Sequence, residues 1–291
     1  MRIYGLILGL LLAGCDDPAP AAVPVPVLKF TAIPGDNTTD LKERFAPFER
    51  AMSGTLGVPV QYVPTEDYAA SVETFVSGDV HLAWFGGLTG VRARRAVPGA
   101  RAIAQGKADP EYRSYFIAHA GSGLQRSDDF PTALEGRTFT FGSGSSTSGR
   151  LMPEHFIRLH TGRSPNEFFG REMSFSGSHE KTAQLVEAGT FDAGAIDFKT
   201  YDRLVAEKAI DPEKCAVIWT TPPYPDYNWT AHPELDKVFG AGFTDRLQAA
   251  LLAIDDPALL KAVNRPEGFI KASNEEWNAL AELAEELGLV R

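Results

Sequence analysis

Arg137-Thr138-Phe139-Thr140-Phe141-Gly142-Ser143-Gly144-Ser145-Ser146-Thr147-Ser148-Gly149 reads as a strand, a glycine–serine turn and the opening of a helix. The strand covers Arg137 to Phe141. The helix is predicted over Thr147 to His160, with Pro153 tolerated only near its first turns and Gly162 as its stop. A strand-turn-helix unit of this kind belongs to an α/β protein. The turn also carries chemistry. The first amides of a helix have no internal acceptor, and their aligned dipoles leave partial positive charge that attracts an oxyanion. Ser146, Thr147 and Ser148 add short hydroxyl donors, and the glycines let an anion approach the backbone. The segment is not a Walker loop, because no lysine follows the glycines. A capped helix after a flexible loop is the alternative.

The same alternation extends in both directions. Leu28 to Ile33, Val58 to Val63 and Val80 to Phe85 read as strands. Between them, Leu41, Phe45, Phe48 and Met52 recur at helical spacing, and Glu66 to Val76 forms a second helix before Ser77-Gly78. Asp36-Asn37-Thr38-Thr39 is a capping cluster, and Gly86-Gly87 turns into a helix over Leu88 to Ala96. The pattern restarts with strands at Tyr115 to Ala118, Met173 to Phe175, Phe191 to Asp197 and Ala216 to Thr220. Helices are predicted at Lys181 to Glu187 and Thr200 to Glu207. Beyond Pro222-Pro223 the tail reads as helices only: Asp245 to Ile254, Pro257 to Val263 and Asn274 to Glu286. The alternation predicts parallel βαβ units in two α/β lobes. Lobe I takes 28–116 plus 222–291 and lobe II takes 117–221, with chain crossings near Phe116 and Thr221.

Composition narrows the function. The 291 residues carry a formal charge of −10 and no basic stripe, which argues against a nucleic-acid partner. A small anion is not excluded, because it responds to local amides more than to global charge. His155 and His160 lack the i,i+4 spacing of a zinc site, and no metal or cofactor motif is present. Cys215, inside Cys-Ala-Val-Ile-Trp, reads as a buried thiol in a strand. A serine hydrolase using Ser146 or Ser148 with His179 as base would need an oriented triad. The Gly-x-Ser-x-Gly elbow is absent.

At the N-terminus, Arg2 precedes an apolar run from Ile3 to Leu12, far short of the roughly twenty residues that span a bilayer. Leu12-Ala13-Gly14-Cys15 resembles a bacterial lipobox. The resemblance implies a signal peptide over 1–15, lipid on Cys15, and retention on the periplasmic face of the inner membrane through Asp16-Asp17. Residues 16–27, rich in Pro, Ala and Val, read as a tether.

In open α/β sheets, ligands sit beyond the carboxyl ends of the strands. Those ends collect Tyr68, Phe85, the serine turn, Ser176 to His179, Asp197 to Lys199 and Asp226. Asp67-Tyr68-Ala69-Ala70, Ala83-Trp84-Phe85-Gly86, Ser146-Thr147-Ser148-Gly149, Ser178-His179 and Pro225-Asp226 occur in matching order along the chain. Together they resemble the phosphonate/phosphite substrate-binding proteins of ABC importers. The wording Ala83-Trp84-Phe85-Gly86-Gly87-Leu88-Thr89-Gly90 is most similar to the branch assigned to selenate.

The resemblance implies a type II periplasmic-binding-protein fold, two α/β lobes joined by a two-strand hinge. It implies a monomeric, non-enzymatic capture protein without cofactor that serves an ABC permease and ATPase. Tyr68, Ser146, Thr147, Ser148 and His179 match the residues that hold the family's anionic head, and Phe85 stands where a second tyrosine is common. Aminoalkylphosphonate binders hold the ligand's ammonium with two acids; Asp226 matches one, and Lys199 stands at the other. A lysine there repels an ammonium, so a compact oxyanion is expected: selenate, selenite, phosphite or a small alkylphosphonate. Asp226 and Asp197 favour a ligand that carries a proton, unless Lys199 neutralises one of them. Closure of the lobes on the anion would serve transport or, alternatively, signal a ligand to a sensing partner.

Overall fold

The computed structural model describes residues 25–34 and 38–290. The signal segment, Cys15, most of the tether and the Asp36-Asn37 part of the capping cluster lie outside the described residues. The chain begins with β1 (Leu28–Ala32), α1 (Thr38–Leu56), β2 (Val60–Tyr62), α2 (Tyr68–Val76), β3 (Leu82–Phe85), α3 (Gly87–Ala96) and β4 (Arg101–Gly106). It then crosses to a second sheet through β5 (Ser114–His119) and β6 (Phe139–Phe141). There it adds α4 (Met152–Thr161), α5 (Pro165–Phe169), β7 (Ser174–Phe175), α6 (His179–Glu187), β8 (Ala193–Asp197), α7 (Phe198–Ala206) and β9 (Cys215–Thr220). The return supplies β10 (Asn228–Ala231), α8 (Leu235–Phe239), α9 (Phe243–Leu252), α10 (Pro257–Ala262), β11 (Phe269–Lys271) and α11 (Asn278–Glu286).

Both sheets are mixed. The first has the order β11-β4-β10-β3-β1-β2, in which β1 runs parallel to β2 and β3 while β10 is antiparallel to β3 and β4. The second has the order β7-β6-β8-β5-β9, with β5 antiparallel to both neighbours. The expectation of parallel units therefore holds for β1–β3 and β6–β8 only. A return strand entering from the other lobe must run the opposite way.

Two other expectations are corrected. The tail contributes β10 and β11 to the first sheet, although it reads as helical from sequence. These strands have four and three residues, too short to show an alternation. Strand β5 also lies wholly in the second sheet, so the first crossing precedes Ser114 rather than falling near Phe116. The hinge itself is a two-residue antiparallel bridge: Tyr112 and Tyr224 exchange N–H···O bonds of 2.9 and 3.0 Å.

Strand alternation sorts the cores. On β3, Leu82 and Trp84 join the cluster of Leu41, Phe45, Phe48 and Met52 from α1, while Ala83 and Phe85 face the other layer with Tyr68 and Phe75. Every β3 side chain is buried, as befits a strand inside a sheet covered on both faces. In lobe II, Cys215 is fully buried on β9, and burial, then Glu187, pushes its thiol up to about 12. It is the inert thiol expected. One apolar cluster joins Leu88 and Val91 of α3, Trp277 and Leu280 to Leu151, Met152 and Phe116 of lobe II, so the lobes are closed on one another.

Candidate functional site

The serine turn opens wider than a plain helix start. Thr147–Leu151 is a π-turn, and α4 begins only at Met152, with Pro153 in its first turn. Ser146 caps the turn, its Oγ accepting from Gly149 N at 2.9 Å. Gly142 N donates to Gly149 O at 2.8 Å, and a Cβ on Gly149 would stand 3.0 Å from His179 Cε1 and 3.1 Å from Gly142 Cα. Glycine is needed here because the turn folds back on itself against the histidine. Ser146, Thr147 and Ser148 are all buried.

His179 opens α6, whose cap Ser178 accepts from Lys181 N. Its Nδ1 accepts from Asp197 N at 3.3 Å, which assigns the ring proton to Nε2. Nε2 then faces Ser146 Oγ at 3.4 Å, Ser148 Oγ at 3.5 Å and Asp197 Oδ2 at 3.4 Å. None of these is a short bond, so the imidazole N–H is a donor aimed among several acceptors. Asp197 is held in turn: its Oδ1 accepts from the Tyr112 hydroxyl at 2.7 Å and from Thr200 N at 2.8 Å. Burial alone would raise its pKa, but His179 and the bonds from Thr200 and Tyr112 hold it below the ordinary value. Asp197 thus orients the histidine.

Lobe I supplies the facing half. Asp226, fully buried, accepts through Oδ1 from Gly87 N at 2.8 Å, and the Thr147 hydroxyl donates to the same carboxylate. Thr147 Oγ1 itself accepts from Leu88 N at 2.9 Å. One hydroxyl from lobe II therefore joins the first amides of α3 to the Asp226 carboxylate of lobe I. Asp226 Oδ2 has no hydrogen-bond partner among the described residues. Burial raises the acid to about 7, with Asp109 and Asp197 adding to the rise and the bonds from Gly87 and Thr147 opposing it. Gly86 leaves room at this point; its Cβ would stand 3.2 Å from Asp226 Oδ1 and 3.4 Å from Thr147 Oγ1.

Tyr68 and Phe85 lie in one apolar cluster with Ile33, and Tyr227 packs against it. The Tyr227 phenol is pushed up by burial first, then by Tyr68, Asp197 and Asp226, which places Tyr227 between Tyr68 and the two acids. The structure thus brings the serine turn, His179, Asp197 and Asp226 together between the lobes, with Tyr68 set behind Tyr227. Phe85 rests edge-on against Phe75, 5.6 Å between centroids.

Lys199 is placed differently. Its Nζ bonds Glu267 of lobe I at 2.8 Å, and its carbonyl accepts from Asn264 Nδ2 at 3.2 Å; neither Asp197 nor Asp226 is its partner. It clasps the two lobes. Because the Glu267 side chain is 44% exposed, solvent screens the pair, which should contribute ~0.2–1 kcal/mol. Lys199→Met is accordingly expected to weaken anion binding by no more than about fivefold, without reordering ligands. Isothermal titration checks this. A new preference for 2-aminoethylphosphonate would return Lys199 to the anion shell.

Three residues at the site carry no signal in the sequence. Tyr112 and Tyr224 matter because the hinge pairs them, and Tyr224 bonds Ser114 Oγ at 2.5 Å, which donates onward to the Ser148 carbonyl at 2.7 Å. Arg265 is fixed by Asp109 across a long sequence gap. Tyr227 had one available cue, its place directly after Asp226.

Two closed lobes around one buried polar cleft define the class of bilobal solute-binding proteins. The chain matches, over residues 30–277, the family described as the periplasmic phosphonate substrate-binding protein of ABC transporters, and it belongs to that family. It is 37% identical over 272 residues, 91% of either chain, to the Prochlorococcus marinus protein named "Probable ABC transporter phosphite binding protein PhnD1". The solved structure of PhnD1 from that organism, in complex with methylphosphonate, superposes with a TM-score of 0.86 at 36% identity, covering 91% of this chain and 99% of that one. The phosphonates-binding periplasmic protein of Escherichia coli is 27% identical over 211 residues, 72% of this chain and 61% of the relative. The fold is that of periplasmic binding proteins. The chain accordingly belongs to a family of transport binding proteins and not of hydrolases.

Proposed function

We propose that this protein captures a compact, proton-bearing phosphorus oxyanion, phosphite or methylphosphonate, by lobe closure, and delivers it to an ABC permease. The observation that carries the reading is the buried Asp226 Oδ2, left without a partner in a cleft that also presents the serine hydroxyls and the His179 Nε2–H. The turn amides, the serine hydroxyls and His179 Nε2–H suit anionic oxygens. A carboxyl among them suits an anion with a proton to share. Selenate, fully ionised near neutrality, has none, so phosphorus anions rank ahead of it. The ligand in the solved PhnD1 complex points the same way.

A thermal-shift and calorimetry panel tests the proposal. Phosphite and methylphosphonate should stabilise the protein most, since stabilisation grows with ligand concentration over dissociation constant. Sulfate and selenate should trail by tenfold or more in affinity. Selenate binding first would overturn the assignment in favour of the selenate branch.

Anchoring through Cys15 belongs to the same reading, because a lipid on that residue keeps the receptor at the membrane beside its permease. Cys15→Ser should move the protein from the membrane fraction to the soluble periplasmic fraction. An unchanged membrane fraction would remove the anchor from the account.

A further inference from the structure

Beside the anion shell lies a cage that the protein fills with its own cation. Arg265 sits between α10 and β11 and is 2% exposed. Its guanidinium carbon stands 5.2 Å from the Trp84 ring centroid, 5.3 Å from that of Tyr112 and 4.7 Å from that of Tyr227. Its Nε bonds both Asp109 oxygens at 2.8 Å, and Nη1 donates to the Val263 and Asn264 carbonyls at 3.1 and 2.9 Å. Three aromatic rings around a buried carboxylate form a receptor for an organic cation. Here the occupant is a side chain.

The cage shares walls with the anion site. Tyr112 donates to Asp197, which faces His179, and Tyr227 follows Asp226, whose N–H donates to the Asp109 carbonyl at 3.1 Å. A cavity of about 60 Å³ remains next to the cage, lined in part by Ile33, Trp84, Tyr112, Tyr227 and Arg265. A methyl substituent needs little of that space, whereas an ammonium-bearing tail would meet a fixed guanidinium.

Resting on the reading above, we propose that Arg265 determines tail specificity: it plugs an aromatic cage beside the anion site and so excludes aminoalkyl-bearing phosphonates. The chain itself supplies the cation that a tailed ligand would otherwise bring. The role assigned earlier from sequence to Lys199 passes to Arg265.

Two measurements test this. Arg265→Ala leaves an empty cage over the Asp109 carboxylate, so millimolar methylguanidinium should raise the variant's melting temperature by several degrees and leave the wild type unmoved. No rise, or an equal rise in both proteins, overturns the proposal. The double variant Asp109→Asn with Arg265→Met removes both charges and leaves neither unpaired. In it, the ratio of the 2-aminoethylphosphonate to the methylphosphonate dissociation constant should fall at least tenfold from the wild-type value. An unchanged ratio overturns the proposal as well. Failure of the wild type to bind methylphosphonate or phosphite would instead strike at the function proposed above, so the two failures are distinguishable.

Discussion

On the proposed function, Asp226→Asn is expected to shift the cleft towards selenate and sulfate. The asparagine carbonyl can keep the bonds from Gly87 N and Thr147, while its NH₂ takes the place of the unpartnered Oδ2 and offers a donor where an acceptor stood. Above neutrality the wild-type carboxylate is ionised and opposes a dianion. Unit charges about 4 Å apart interact by ~4 kcal/mol at an effective dielectric near 20, so even a fraction of that term gives roughly ten- to hundredfold. Calorimetry at pH 8 with selenate, sulfate and phosphite should show the first two gaining on the third by that factor. A variant that keeps the wild-type ranking would refute the role given to Asp226.

The same substitution has a signature without ligand. Asp226 titrates at about 7 in the fold against an ordinary 3.8. A raised carboxyl favours its protonated form in the native state, so its contribution is complete below about pH 4 and is lost as pH climbs to 7. Removing it should flatten that part of the stability profile. The difference between variant and wild type at pH 8 should reach at most ~4 kcal/mol in favour of the variant, read from urea denaturation across the pH range.

Thr147→Val should abolish most of the affinity with the fold intact. Valine matches threonine in shape and lacks only the hydroxyl, so packing in the turn survives. In the closed form, Leu88 N–H then has no acceptor and Asp226 loses a donor, both in buried surroundings. In the open form, water serves both. Each orphaned group costs about 1–3 kcal/mol, and the cost falls on closure alone, so anion affinity should drop by about two orders of magnitude. Small-angle scattering should show the variant more open at a methylphosphonate concentration that closes the wild type. Affinity within threefold of wild type, in a folded variant, would mean that the hydroxyl does not join the lobes.

Local sequence carried the elements whose signals are strong. Leu41, Phe45, Phe48 and Met52 are all buried on α1, and Asp67, Ser178 and Asp197 cap the helices that open at the cleft. The serine turn is legible as a strand–turn–helix junction, but the π-turn that delays α4 to Met152 is not. Short strands escaped notice: β10 and β11 are strands only because the first sheet offers them edges. Lys199 shows the other limit. Its charge suggested a ligand contact, but its partner Glu267 lies far along the chain, and only folding brings the pair together.

What the sequence determined by itself was the α/β character, the strand–turn–helix junction at Ser146 to Ser148 and the family to which the chain belongs. These depend on periodicity, caps and neighbouring residues, all local in the chain. What the tertiary structure alone decided was which charges meet. Thr147 reaches Leu88 and Asp226, Arg265 reaches Asp109, and Lys199 reaches Glu267, each from another part of the chain. Whether a charge serves a ligand or a neighbour depends on distance in space. In a cleft made by two lobes closing, that distance is set by the packing of both.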